Sequence, residues 1–205
     1  MSGFTHAGGA LAALAGTVLL ALRRGGSAED LAVCLIFGIS MTALFAASGT
    51  YHLVTGPARL VRVCHIIDHC MIYVLIAGTY TPLVAAAFTG ALKWGYMLGV
   101  WVFALGGIVV KTFLTGRFRA LSTILYLVMG WAIVFAVVPL ARTIAPEGTL
   151  LLFTGGLFYT VGGVIYAVKK PNFTKGFGFH ELFHVLVLLG ALAHYFMVYY
   201  YLTCP

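Results

Sequence analysis

Charged side chains are so sparse along this chain that they divide it into measurable lengths. Stretches free of Asp, Glu, Lys and Arg run over 1–22, 31–58, 69–92, 94–110, 120–141, 148–168 and 182–205. A helix that crosses the hydrocarbon core needs about 20 residues, within a range of roughly 17–25. Each stretch is long enough, so the pattern predicts seven spanning helices joined mostly by short connections. The fourth stretch is the shortest, and Lys93 and Lys111 at its ends are expected to snorkel to the interface. Little chain is left over. Residues 1–205 are therefore expected to form one domain, an all-α membrane protein built as a bundle of seven transmembrane helices.

No positive charge precedes the first stretch and no clear small-residue cleavage site follows it. Residues 4–22 are thus expected to remain as a span rather than leave as a signal peptide. Gly8, Ala12 and Gly16 would give that helix a face for close packing. No internal repeat or low-complexity tract stands out.

Composition changes the reading of charge more than that of fold. The chain is 62% hydrophobic and 8% charged, whereas soluble domains carry about one quarter charged residues, so a soluble globular domain is excluded. Twelve Lys+Arg against five Asp+Glu leave a formal charge of +7. In a soluble domain that balance would point to nucleic acid. Here the charges lie between apolar runs, so they are expected to meet lipid headgroups and set topology, with membrane lipids as the environment and no nucleic-acid partner. Cys34, Cys64, Cys70 and Cys204 form no C-x-x-C pair and read as small buried hydrophobes.

Loop charges give the orientation. Connections after the first, third and fifth spans hold Arg23, Arg24, Lys93 and Arg142. Those after the second, fourth and sixth hold Arg59, Arg62, Lys111, Arg117, Arg119, Lys169, Lys170 and Lys175. The excess on the even loops predicts that they, and the N-terminus, are cytoplasmic, although Arg23-Arg24 argues locally the other way.

Candidate chemistry follows from span alternation, whichever way the bundle is oriented. N-terminal ends of odd spans and C-terminal ends of even spans share one membrane face. His6 opens the first span, His52 closes the second, His65, Asp68 and His69 open the third, and His180, Glu181 and His184 open the seventh. Only His194 lies elsewhere, about 15 Å beyond His184 at 1.5 Å rise per residue. Ionisable groups in a span are expensive, so such a cluster is read first as a functional site. The plainer reading, histidines touching headgroup water, applies most readily to His6, His65 and His69.

His180 and His184 are four residues apart and share one helical face. Two imidazoles so placed can take two corners of a tetrahedron, and His52 is the nearest third ligand in type and depth. Three imidazoles leave one position for water, as in a catalytic zinc site. Ser48 lies one turn from His52. Asp68 would balance charge, since Zn²⁺, one carboxylate and hydroxide sum to zero.

Other readings use the same residues. His180-Glu181-Leu182-Phe183-His184 matches H-E-x-x-H, the pattern of zinc proteases in which Glu is the general base, although the only further ligand types downstream are His194 and Cys204. A metal-free alternative takes Ser48 as nucleophile, His52 as base and Asp68 as orienter, which gives His180 and His184 nothing to do. A retinal-type photoreceptor lacks the Lys that a Schiff base needs in the seventh span.

The stretches Ser48-Gly-Thr-Tyr-His52, Asp68-His-Cys-Met-Ile-Tyr-Val-Leu-Ile-Ala-Gly-Thr-Tyr-Thr-Pro82 and Gly178-Phe-His-Glu-Leu-Phe-His184 resemble the hemolysin III family. That family groups with the progestin and adipoQ receptors and, more remotely, with alkaline ceramidases. The resemblance covers essentially the whole chain in span number and motif order. It implies an adiponectin receptor-like seven-helix bundle with zinc near the cytoplasmic face, the ligands falling on His52, His180 and His184. Ser48 and Asp68 match the remaining polar positions, which hold the zinc-bound water or its neighbours. The family's E-x2-N-x3-H motif is met here only by His6, with Ser2 where Asn is expected. The family motif does not require Glu181.

Three functional classes follow as expectations. The first is a zinc-dependent hydrolase of lipid acyl amides or esters, with Asp68 and Ser48 as catalytic residues, membrane lipid as substrate and a role in membrane lipid homeostasis. The second is a non-enzymatic, receptor-like membrane protein in which zinc staples the second and seventh spans. The third, from the family name, is cytolytic pore formation, for which the spans offer no alternating polar pattern. Trp94, Tyr199, Tyr200 and Tyr201 fall on the face opposite the histidines and read as an interfacial aromatic belt.

Overall fold

A computed structural model describes residues 2–23, 26–113, 119–174 and 176–202. Arg24, Arg117, Lys175 and Cys204, used above for topology and cysteine chemistry, lie outside them. The described residues form α1 (Ser2–Arg23), α2 (Ala28–Leu53), α3 (Ala58–Ala87), α4 (Gly90–Phe113), α5 (Arg119–Trp131), a 3₁₀ turn (Ala132–Ala136), α6 (Val137–Ala141), α7 (Pro146–Val168) and α8 (Phe179–Tyr201). No strand occurs among the described residues. Seven helical segments are long and apolar enough to cross a membrane, the fifth being the composite Leu121–Ala141.

Helix starts follow local chemistry. Ser27 Oγ accepts from the Asp30 amide at 3.0 Å, while Asp30 Oδ2 accepts from the Ser27 amide at 3.3 Å, a reciprocal cap for α2. Glu29 and Asp30 add negative charge where the helix dipole favours it. Pro146 opens α7, where its missing N–H costs nothing.

Two spans differ from the charge-free runs. α4 covers 24 residues and continues past both lysines. Lys93 is paired with Glu29 at 2.6 Å. Lys111 is only 7% exposed instead of snorkelling, because α4 runs on for two further residues and packs against α3. The fifth span breaks at Ala132–Ala136, just before Pro139, which has no N–H to donate one turn back. Carbonyls released by such a break need donors inside a membrane. Tyr80 of α3 donates to Met129 and Gly130 at 2.8 and 3.0 Å, and Tyr96 of α4 donates to Ala132 at 2.8 Å.

α1 packs on α2 and α8, α2 on α3, α3 on α4, and α7 on α8, with the composite fifth span against α3, α4 and α7. The packing face of α1 is not Gly8, Ala12 and Gly16. Gly8 and Ala12 point outward, and the buried stripe runs through Gly3, His6, Ala13, Gly16 and Leu20. Small residues occupy neighbouring positions on both faces, so size alone could not choose between them. At Gly49 of α2 a Cβ would come within 3.1 Å of the Ala7 backbone nitrogen, so glycine sets the close approach of α1 and α2.

Candidate metal centre

Two helices supply the central histidines. Ser48 and His52 stand one turn apart at the C-terminal end of α2, and His180 and His184 one turn apart at the N-terminal end of α8. The packing of the bundle brings these ends together. His180 Nε2 lies 3.4 Å from His52 Nε2 and 3.1 Å from His184 Nε2. All three donor atoms fall within 4.8 Å of one another, so the trio can hold a metal ion. Ligands at 2.0–2.1 Å in a tetrahedron would be separated by about 3.3 Å, close to both measured spacings. Three nitrogens leave a fourth coordination position for water or substrate.

His6 was not placed in this group by sequence, yet it is 2% exposed and packs on His184. His184 Nδ1 lies 2.9 Å from Nε2 and 3.1 Å from Nδ1 of His6. With Nε2 turned toward the trio, the other nitrogen of His184 thus has an outer partner, the arrangement that fixes tautomer and ring orientation in metal sites. His6 is held in turn by an edge contact with Phe45, the rings 5.1 Å apart. The sequence signals for it are its position at the mouth of the first span and its match to the histidine of the E-x2-N-x3-H motif.

Asp68 is buried and lines the same cavity as Ser48, His180 and His184. Nδ1 of His69 lies 3.6 Å from Asp68 Oδ2.

His65 and His69 form a separate group. His69 Nδ1 lies 3.0 Å from the His65 carbonyl, which can only accept, so that nitrogen carries the proton. Nε2 then accepts from Tyr166 OH at 3.1 Å, tying α3 to α7. Glu181 is occupied elsewhere. Oε2 accepts from the Gly178 amide at 3.0 Å and Oε1 from Ser2 Oγ at 3.3 Å, so the carboxylate caps α8 and joins it to α1. That placement gives the H-E-x-x-H match a structural explanation.

A cavity of about 200 Å³ begins at Ser48, Asp68, His180 and His184 and extends to Leu83 and His194. Its α3 lining runs from His65 to Leu83, roughly 27 Å at 1.5 Å per residue, which approaches the thickness of the hydrocarbon core. The walls between the ends are mostly apolar, a lining that suits an alkyl chain.

Comparison with known proteins agrees with the motifs. Residues 1–195 match the family model described as haemolysin-III related. The chain is 42% identical over 199 residues to a hemolysin-3 homolog of Bacillus subtilis (strain 168), covering 96% of this chain and 91% of that protein. It is 34% identical over 199 residues to hemolysin-3 of Bacillus cereus, covering 96% and 88%. The human monocyte to macrophage differentiation factor is 28% identical over 203 residues, covering 97% and 82%.

Proposed function

Because the chain belongs to the haemolysin III family of multi-pass membrane proteins, we propose that it holds zinc between His52, His180 and His184 and hydrolyses an acyl amide or ester of a membrane lipid. The observation that carries this reading is the convergence of three imidazole nitrogens within 4.8 Å of one another, two of the rings lining an apolar cavity that also holds a buried carboxyl. Zinc bound there supplies Lewis acidity and a water acidified toward neutral pH.

The chain's own residues do the rest. The cavity binds the acyl chain and keeps bulk water from it, which places the polar linkage at the histidine end. Asp68 takes a proton from the attacking water at its carboxylate and delivers it to the amine or alcohol that leaves as the acyl bond breaks. Ser48, on the same cavity wall, positions the Asp68 carboxyl. His6 holds the His184 ring. Residues 1–205 act as one domain in this reading, with the N-terminus cytoplasmic.

The test is metal analysis of purified wild type beside His184→Ala, with mass spectrometry of lipid products on the same samples. The expected result is about one zinc per wild-type chain, under a tenth of that in the variant, and fatty acid released only by wild type. Zinc at full occupancy without product, across a panel of amide and ester lipids, overturns hydrolysis. That outcome would favour the second reading, a receptor-like protein in which metal staples α2 to α8, since the trio does link those two helices.

A further inference from the structure

Partway along the cavity two buried polar atoms make no hydrogen bond: Nδ1 of His194 and the hydroxyl of Tyr159. Both residues line the cavity that reaches His180 and His184. Reciprocal packing of α7 and α8 holds them there. The His194 ring lies against Gly155, where any Cβ would strike it, and the Tyr159 ring lies against Gly190, where a Cβ would come within 2.9 Å. Gly155 and Tyr159 are one turn apart on α7, as are Gly190 and His194 on α8. Each ring therefore sits in the notch left by the other helix's glycine, and the ring centroids are 5.4 Å apart.

The hydrogen-bond roles of the two atoms are determined. His194 Nε2 lies 3.0 Å from the Leu152 carbonyl oxygen. A carbonyl only accepts, so Nε2 carries the proton and the neutral ring presents Nδ1 as an acceptor. Tyr159 presents a donor. An acceptor beside a donor, both unpaired within apolar walls, complements a hydroxyl, which gives its proton to the imidazole and accepts one from the phenol. The site lies ten residues beyond His184, about 15 Å along α8, and Ile76, Leu127 and Val187 line the cavity between.

From this pairing we infer that His194 and Tyr159 form a polar subsite for a hydroxyl carried partway along an apolar chain, so that the cavity's ligand is a hydroxylated long-chain acyl lipid. The inference rests on the proposed function only for the placement of the ligand's other polar end at the histidine trio. The subsite itself requires neither metal nor turnover.

Binding, not catalysis, tests it. Protein in nanodiscs is titrated with a saturated long-chain fatty acid and with the same acid bearing a hydroxyl at successive carbons, using wild type, Tyr159→Phe and His194→Phe. Wild type is expected to bind one positional isomer about tenfold more tightly than the plain acid. Tyr159→Phe removes one oxygen and no packing, and it should level that preference to within twofold while affinity for the plain acid is unchanged. His194→Phe should level it too, and if that variant does not fold, Tyr159→Phe decides alone. Equal affinity for every isomer in wild type, or a preference that survives Tyr159→Phe, overturns the subsite and leaves a bridging water as its occupant. The isomer preference without any product in the lipid panel would uphold the subsite and sink the hydrolase reading by itself.

Discussion

His6 and His184 are separated by 178 positions in the chain and by 2.9 Å between ring nitrogens. Loss of the outer partner of a metal-binding histidine typically weakens metal affinity about 10–100-fold. His6→Phe is therefore expected to raise the zinc dissociation constant by that factor, read by competition with a chromophoric chelator. Unchanged affinity would reduce His6 to packing. The two carboxylates near the histidines should separate cleanly. Asp68→Asn should retain metal yet lower product formation by about 10²–10⁴-fold. Glu181→Gln should leave turnover within about threefold and lower the melting temperature by roughly 2–4 °C, the cost of a weakened cap. A turnover loss in Glu181→Gln as large as in Asp68→Asn would restore the protease-like general base. At this scale the H-x3-H pair was legible because four residues make one helical turn. His6 was not, because nothing local in α1 records which ring of α8 it meets.

Among the helices, the composite fifth span shows how one element is completed by its neighbours. The turn at Ala132–Ala136 releases carbonyls that Tyr80 and Tyr96 serve from α3 and α4. Tyr80→Phe removes the donor for two of them in surroundings with little water. Stability should fall by about 1–3 kcal/mol, read as a lower thermal midpoint in detergent at constant metal. No change would mean that those carbonyls find another donor. Charge-free run lengths placed the seven spans because lysine, arginine and carboxylates leave hydrocarbon unless something inside pairs with them. The same rule explains where the runs misjudged α4. Lys93 has Glu29 and Lys111 is buried in the protein interior, so neither ends the helix. The break in the fifth span needed the tyrosines to be tolerable, and those lie on other helices.

For the whole bundle, a metal held as proposed by His52 of α2 and by His180 and His184 of α8 would couple the second span to the seventh. A ligand that binds only the folded state stabilises it by about 4 kcal/mol at a free concentration of a thousand dissociation constants. Chelation should therefore lower the thermal midpoint of wild type and leave His184→Ala unmoved; equal shifts in both would place the metal elsewhere. The excess of basic residues on the even loops is the basis for expecting a cytoplasmic N-terminus. In a chain whose four native cysteines are replaced by serine, a thiol introduced ahead of Ser2 should resist a membrane-impermeant reagent in intact cells and react after lysis, and labelling in intact cells would reverse the orientation.

Seven spans, one face rich in histidine, and the pairing of His180 with His184 were determined by sequence alone. Helix periodicity and the cost of charge in hydrocarbon act along the chain, where they can be counted. Tertiary structure decided what depends on the relative placement of helices. It brought His52 to the α8 pair and His6 behind His184. It turned Glu181 into a cap, buried Lys111, and chose the stripe of α1 that packs. It also brought the unpaired ring nitrogen of His194 and the unpaired hydroxyl of Tyr159 to one cavity across two glycines. Spacing within a helix fixes which residues share its face, but only packing between helices decides what that face meets.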